Sequence, residues 1–435
     1  MATTTIEQIP QIPDDIAQAA VLPESYRTGR DFWEAYAWLR QNMPLGEARV
    51  PGYDPLRLVT RHADIMQIER DPALFHSCYE DRDNAILQDQ ANDAFQRSLM
   101  GGSIRPMDTA TFMGPEEHAR IRGGAAGWFL PKAIRVYEGR IREQAKEAVD
   151  RLMSFDGECD FVKDFALLFP LHVIMTMLGV PAEDEPHMLK LTQEFFGTHD
   201  PEEQREEVQL SPEAAAKMWR AATDGFNAYF TKLADEKRVH PEDNLGTYIA
   251  QATIDGEPLD QSRQNGWYIA VASAGHDTTS STIAGGIKAL AENPDQLSMA
   301  RENPELIPGL VDESLRWTSP VRHFMRTATA DTEVGGVPVN QGDRMMLLYA
   351  SATRDEAIFE NPESFDITRK PNKHIAFGFG PHVCIGQHIS KMEMRILMAE
   401  LLPRLKSIQV AGEPKYVQTN FVGGLKSLPV RFEKA

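Results

Sequence analysis

The sequence predicts a mainly α-helical protein with a minor β region, and three observations carry that expectation. From Pro115 to Arg316 apolar residues recur at helical spacing in one segment after another, with few interruptions. After Pro320 the pattern changes to short alternating or β-branched runs around a Gly335-Gly336 turn, which reads as a small sheet. No repeat, low-complexity tract or linker divides the 435 residues, so 1–435 are expected to form one domain, with an irregular segment 1–50 included.

In order, Asp31–Gln41 reads as the first helix, Ala48-Arg49-Val50 and Leu56–Thr60 as short strands, and His62–Arg70 as a helix. Asp71–Met113 has little periodicity; a segment that long is either a lid or binding loop, or a mobile surface loop. Helices are then expected at Glu116–Trp128, Lys132–Phe155, Phe161–Leu178 and Pro186–Phe196. Asp200–Gln209 is acidic and reads as a solvated connection. Ser211 caps Pro212–Arg238, Pro241–Thr253 follows, and Gln261–Asn293 is the longest candidate, rich in small and apolar residues and therefore buried. Pro304–Arg316 precedes the strands, and a helix ending near Leu405 precedes a hairpin at Gly423-Gly424.

A net charge of −19 and a pI near 5.1 argue against nucleic acid or an anionic membrane as partner. Cys78, Cys159 and Cys384 are odd in number and far apart, which suits a reducing compartment. The first residues lack a basic segment followed by an apolar one, and the apolar stretch Ala166–Val180 is too short to span a bilayer, so a soluble cytoplasmic protein is expected.

Chemistry concentrates at Phe377-Gly378-Phe379-Gly380-Pro381-His382-Val383-Cys384-Ile385-Gly386. Its glycines permit an irregular backbone and close approach to a flat ligand. Ile385, Ile389, Met392 and Ile396 then fall on one helical face, so Cys384 stands just ahead of a helix N-terminus, which favours a thiolate. That thiolate is a nucleophile or a metal ligand. A structural cysteine in a turn, or a zinc site from His382, Cys384 and His388, remains an alternative for the loop alone, although no fourth zinc ligand is evident.

A second cluster, Ala274-Gly275-His276-Asp277-Thr278-Thr279, puts Gly, an acid and two threonines inside the longest helix. Gly there costs about 1 kcal/mol relative to Ala, and a Thr hydroxyl that captures a carbonyl of the preceding turn can open the helix to O2 and water. The bland alternative is a satisfied buried Asp and a back-bonded Thr. Glu313 and Arg316 share a helical face and can pair.

Phe377, Gly380, Cys384 and Gly386 in the order F-x-x-G-x-x-x-C-x-G resemble the haem-binding loop of the cytochrome P450 monooxygenases. Ala274–Thr278 resembles that family's A/G-G-x-D/E-T signature and Glu313–Arg316 its E-x-x-R, with Arg369 similar to the arginine that the pair locks. The resemblance runs from about Tyr53 to the C-terminus and includes stretches like the bacterial terpineol-hydroxylating members. It implies the family's single triangular haem domain, haem b (iron protoporphyrin IX) as cofactor and Cys384 as the iron ligand, with Phe377, Gly378 and Gly386 around the sulfur. It implies that His118 and Arg122 (an H-x-x-x-R), Arg326 and His382 hold the propionates; at Phe324 this chain is apolar where some relatives carry an acid. Asp277 would pass protons inward and Thr278 assist oxygen activation.

By position, substrate-pocket walls would come from Ala270, Ser273, Ala274, Val321, Phe324, Phe421 and Val422, with Met100 and Ile104 in the lid. A monoterpenoid or a small aromatic or cyclic hydrocarbon is expected. The chain has no G-x-G-x-x-G after a strand, no flavin-type domain and no Cys cluster, so electrons come from outside. The family resemblance implies a [2Fe–2S] ferredoxin with its NADH-dependent reductase, docking near Arg120, Lys373, Lys391 and Arg395, and a monomeric enzyme. A peroxide-driven peroxygenase and a non-catalytic haem sensor or electron carrier are the rival readings; Asp277-Thr278 speaks against the latter.

Overall fold

The computed structural model describes residues 10–79, 85–99, 101–102, 107–196, 200 and 211–435. Met100 and Ile104 lie outside the described residues. The protein is predominantly helical with small sheets, as expected. The core is built on the 32-residue helix Gln261–Glu292, held at its start by Asp260, whose carboxylate accepts the Arg263 N–H at 2.9 Å. Its apolar residues pack against the helices Leu168–Leu178, Ile307–Thr318 and Pro212–Val239. The largest sheet has five strands in the order Glu47–Ala48, Leu56–Val59, Arg344–Leu348, His323–Ala328 and Phe75–His76. Arg344–Leu348 runs antiparallel to His323–Ala328 with Met345 opposite Arg326, and parallel to Leu56–Val59.

Most helices fall where periodicity places them, and the departures have local causes. The expected irregular N-terminus contains a helix, Asp14–Val21, which is stable because Ala17, Ala20 and Val21 are buried against the helix Asp31–Asn42. The unperiodic stretch before Met113 contains the helix Gln90–Leu99. Lys132–Phe155 is not one helix: a turn at Pro131–Ile134 and a tighter turn at Arg135–Tyr137 lead into Glu138–Ser154. Pro241–Thr253 shortens to Leu245–Ala250, because Asn244 caps it and Asp255-Gly256, both at positive φ, turn the chain into a small hairpin. Asp200 is not solvated but buried, accepting from Lys426 Nζ and the Gln418 N–H at 2.9 Å. In the terminal hairpin Gly423-Gly424 precede the return strand Leu425–Ser427; a Cβ on Gly424 would lie 2.4 Å from Ser281 Oγ of the long helix.

Glu313 and Arg316 do pair, at 2.7 and 2.8 Å, with both side chains fully buried. Arg369 reaches the same carboxylate at 3.2 Å and also donates to the carbonyls of Ser364 and Asn361. The three residues thereby pin the irregular segment that leads to the cysteine loop.

Candidate active site

The cysteine loop is built by two left-handed glycines, Gly378 (φ 72°) and Gly380 (φ 66°), and closed by the Cys384 N–H donating to the Phe377 carbonyl at 2.8 Å. Gly380 must be glycine: a Cβ there would stand 2.2 Å from the Glu69 carbonyl oxygen. Gly386 caps the helix Gln387–Leu401, so Cys384 does precede a helix N-terminus. Burial pushes the Cys384 thiol pKa up, opposed by hydrogen bonds from the Gly386 and Gln387 backbone N–H groups and by the charge of Arg122. The residue nevertheless keeps accessible surface.

The long helix meets the cysteine helix where Thr279 Oγ1 and Ser390 Oγ lie 3.1 Å apart. Next to this contact the Glu393 carboxyl is held far above its usual range by burial, against the bond from Thr279. Five residues before Thr279, about 7.5 Å along the helix axis, Ala274 is exposed although Ala272, Ser273 and His276 around it are buried. Thr278 Oγ1 donates to the Ala274 carbonyl at 2.7 Å, a back-bond to its own helix that both the opened-helix reading and the bland alternative contain. His276 Nε2–H donates to the Leu167 carbonyl at 2.9 Å; its Nδ1 is 3.3 Å from Asp277 Oδ1 without hydrogen-bond alignment. Asp277 lines a recess with Lys163, Ser280, Ser281, Val422 and Lys426.

The four predicted propionate ligands gather beside the cysteine loop. The rings of His118 and His382 stack with centroids 3.8 Å apart. Arg122 donates to the Val383 carbonyl. Burial and the charges of Arg326 and Arg122 push His118 down to about 4 and His382 to about 2. Arg326 lies 3.4 Å from Glu69, whose other contacts are the Tyr349 hydroxyl (2.6 Å) and the Phe379 N–H (2.8 Å). Glu69 was not legible in sequence; its only signal was an acid at the end of the helix His62–Arg70, and the fold, not local pattern, brings it under the loop.

Of the pocket residues, Phe421 meets Phe324 edge-on at 5.4 Å and His323 at 5.5 Å, and Val321 bridges to Val422. Ala270 and Phe324 are half-buried, whereas Ser273 is buried with its hydroxyl turned to the Ile269 carbonyl. The zinc alternative has no geometry behind it: among the described residues no three His, Cys, Asp or Glu side chains converge as a metal site.

This set fits a haem. It combines an accessible, N–H-supported sulfur with a buried group of cations and imidazoles whose mutual repulsion calls for anionic partners, which propionates supply. The model of the cytochrome P450 family matches residues 105–430. Cytochrome P450-terp from a Pseudomonas species is 49% identical over 425 residues, covering 98% of this chain and 99% of that one. Linalool 8-monooxygenase from Pseudomonas putida is 31% identical, covering 86% and 88%. The crystal structure of CYP108D1 from Novosphingobium aromaticivorans superposes with a TM-score of 0.89 at 39% identity, covering 98% of this chain and all of that one. With the cysteine loop, the acid–threonine helix and the buried Glu313–Arg316–Arg369 triad all in place, the chain belongs to the cytochrome P450 family of monooxygenases.

Proposed function

We propose that the protein inserts one atom of O2 into a C–H bond of a small hydrophobic substrate, a monoterpenoid or a cyclic or aromatic hydrocarbon. The cofactor in this reading is haem b on Cys384, and the electrons come from a [2Fe–2S] ferredoxin and its NADH-dependent reductase. The observation that carries the reading is the setting of Cys384: a sulfur with backbone N–H donors and a neighbouring guanidinium, on a residue that keeps accessible surface. When bound, the haem–thiolate iron supplies the oxygen-activating chemistry.

The chain's own residues do the rest. The Gly386 and Gln387 N–H groups stabilise the sulfur anion, and Phe377, half-buried beside it, limits water. Arg122, Arg326, His118 and His382 hold the carboxylates of the cofactor edge. Asp277 holds a proton where a recess lined by Lys163, Ser280, Ser281 and Lys426 supplies polar relays. Thr278 already donates its hydroxyl hydrogen to Ala274, so its oxygen lone pairs are what it offers to the oxygen site. Phe324, Phe421 and Val422 give the substrate side an apolar, aromatic wall. The terpenoid class is supported by the relatives named for P450-terp and linalool hydroxylation.

Donor docking is assigned to the face bearing Arg120, Lys373, Lys391 and Arg395. Lys391 also pairs with Asp312 at 2.9 Å and Arg120 with Asp255 at 3.4 Å, so an acidic ferredoxin competes with weak intramolecular pairs there. No helix among the described residues is long and apolar enough to cross a membrane; a cytoplasmic, monomeric enzyme is part of this proposal.

The test is turnover of a cyclic monoterpenoid by purified protein with NADH, reductase and ferredoxin under isotopically labelled O2. One labelled oxygen in an alcohol product is expected. Product formed only with added peroxide, or carrying oxygen from water, contradicts the reading.

A further inference from the structure

The helix Gln90–Leu99 carries an arrangement that the reaction as described does not use. Gln88, two residues before the helix, and Asn92 and Gln96 on it are joined in a row by their side-chain amides. Asn92 Nδ2 donates to Gln88 Oε1, and Gln96 Nε2 donates to Asn92 Oδ1 at 3.3 Å. Asn92 and Gln96 are each only 4% exposed. The donors therefore all point toward the start of the row, and the row ends in an acceptor, Gln96 Oε1. That oxygen is shielded from water and has no hydrogen-bond partner among the described residues. Leaving such a group unpaired costs about 1–3 kcal/mol, so a ligand that pairs it gains what the unliganded protein forgoes.

All three amides line a narrow recess that opens to the outside. Its other walls include Phe195, Phe196, Trp219 and Phe421, and Phe421 is also part of the substrate wall through its contact with Phe324. The terminal torsion of a glutamine is broad, so a small rotation presents Oε1 to this space. Aromatic walls call for an apolar body, and a lone acceptor calls for one O–H group on it.

We propose that Gln96 is a specificity-determining residue, accepting a hydrogen bond from the hydroxyl of an alcohol substrate and so selecting oxygenated terpenoids over the parent hydrocarbons. This rests on the terpenoid reading above and narrows it: the enzyme adds a second oxygen to a molecule that already carries one. The reaction that supplies the substrate must then be hydration or hydroxylation of a terpene hydrocarbon.

The experiment titrates the haem-loaded protein with α-terpineol and with p-menth-1-ene, the same skeleton without the hydroxyl, following the spin-state change and checking by calorimetry. The natural sequence should bind the alcohol about tenfold more tightly. Gln96→Met, which keeps volume but removes the acceptor, should bring the two affinities within about twofold while hydrocarbon binding holds. Gln96→Glu, which keeps an acceptor, should retain the preference; each variant's reduced CO spectrum checks that it folds and holds haem. Equal affinities in the natural sequence, or a preference that survives Gln96→Met, would overturn the anchor and leave the terpenoid class standing. Binding of neither ligand by a protein with an intact CO spectrum would overturn the substrate class, and the anchor with it.

Discussion

The imidazoles of His118 and His382 stack at 3.8 Å, one from the helix Pro115–Ala125 and the other from the cysteine loop. Both are driven to their neutral forms by burial and by Arg326 and Arg122. The stack is thus a pair of neutral donors inside a cationic surround, suited to carboxylates. Arg122 also ties the two elements together through the Val383 carbonyl. Arg122→Ala should speed haem loss to an acceptor apoprotein by about tenfold, since a charge-assisted bond and a loop contact disappear together. An unchanged rate would remove Arg122 from the propionate set.

Gly380 lies at positive φ with the Glu69 backbone against its Cα. Gly380→Ala should destabilise the protein by about 2 kcal/mol or more, adding left-handed strain to a contact that cannot yield. The thermal midpoint reports the loss, and haem content should fall with it. Full stability in this variant would show that the loop can be remade.

His323 is fully buried; its Nδ1–H donates to the Asn420 carbonyl at 2.8 Å and its Nε2 accepts the Leu87 N–H at 3.1 Å. Burial lowers it from 6.5 to about 4, and His276 is lowered likewise. The unfolded chain therefore binds protons that the folded chain refuses. Stability is full above pH 6.5 and falls as pH drops toward 4, by on the order of 3 kcal/mol for each such histidine. Denaturant midpoints measured across that window should fall with pH, and less steeply in His323→Gln. A midpoint flat between pH 6.5 and 4 would contradict the assignment.

Asp277 shares the lining of one recess with Lys163 and Lys426. Asp277→Asn should lower ferredoxin-driven turnover by about 100-fold, enlarge the solvent deuterium isotope effect and leave substrate affinity unchanged. Loss of affinity instead of rate would make this a packing residue.

Much of this could be read from the chain. The cysteine loop, the Glu313–Arg316 pair and the Asp277-Thr278 step depend on short-range spacing, and their geometry follows from it. Arg369 was found through its resemblance to the family's partner arginine, and it holds the nearby carbonyls of Asn361 and Ser364. Glu69 and the amide row were not found, because nothing local marks them. Glu69 matters through Arg326, Tyr349 and Phe379, all distant in sequence and Phe379 310 positions away. Gln96 matters only because the fold sets it against Trp219 and Phe421. The helix Asp14–Val21 was missed for the same reason, since its stability comes from burial rather than propensity.

The most direct test of the account is the absorption spectrum of the reduced, CO-bound protein, with and without Cys384→Ser. The natural sequence should give the strongly red-shifted Soret band of a thiolate opposite CO, and the variant should lose both that band and hydroxylation. A Soret band typical of imidazole ligation in the natural sequence, or turnover that survives Cys384→Ser, would contradict it.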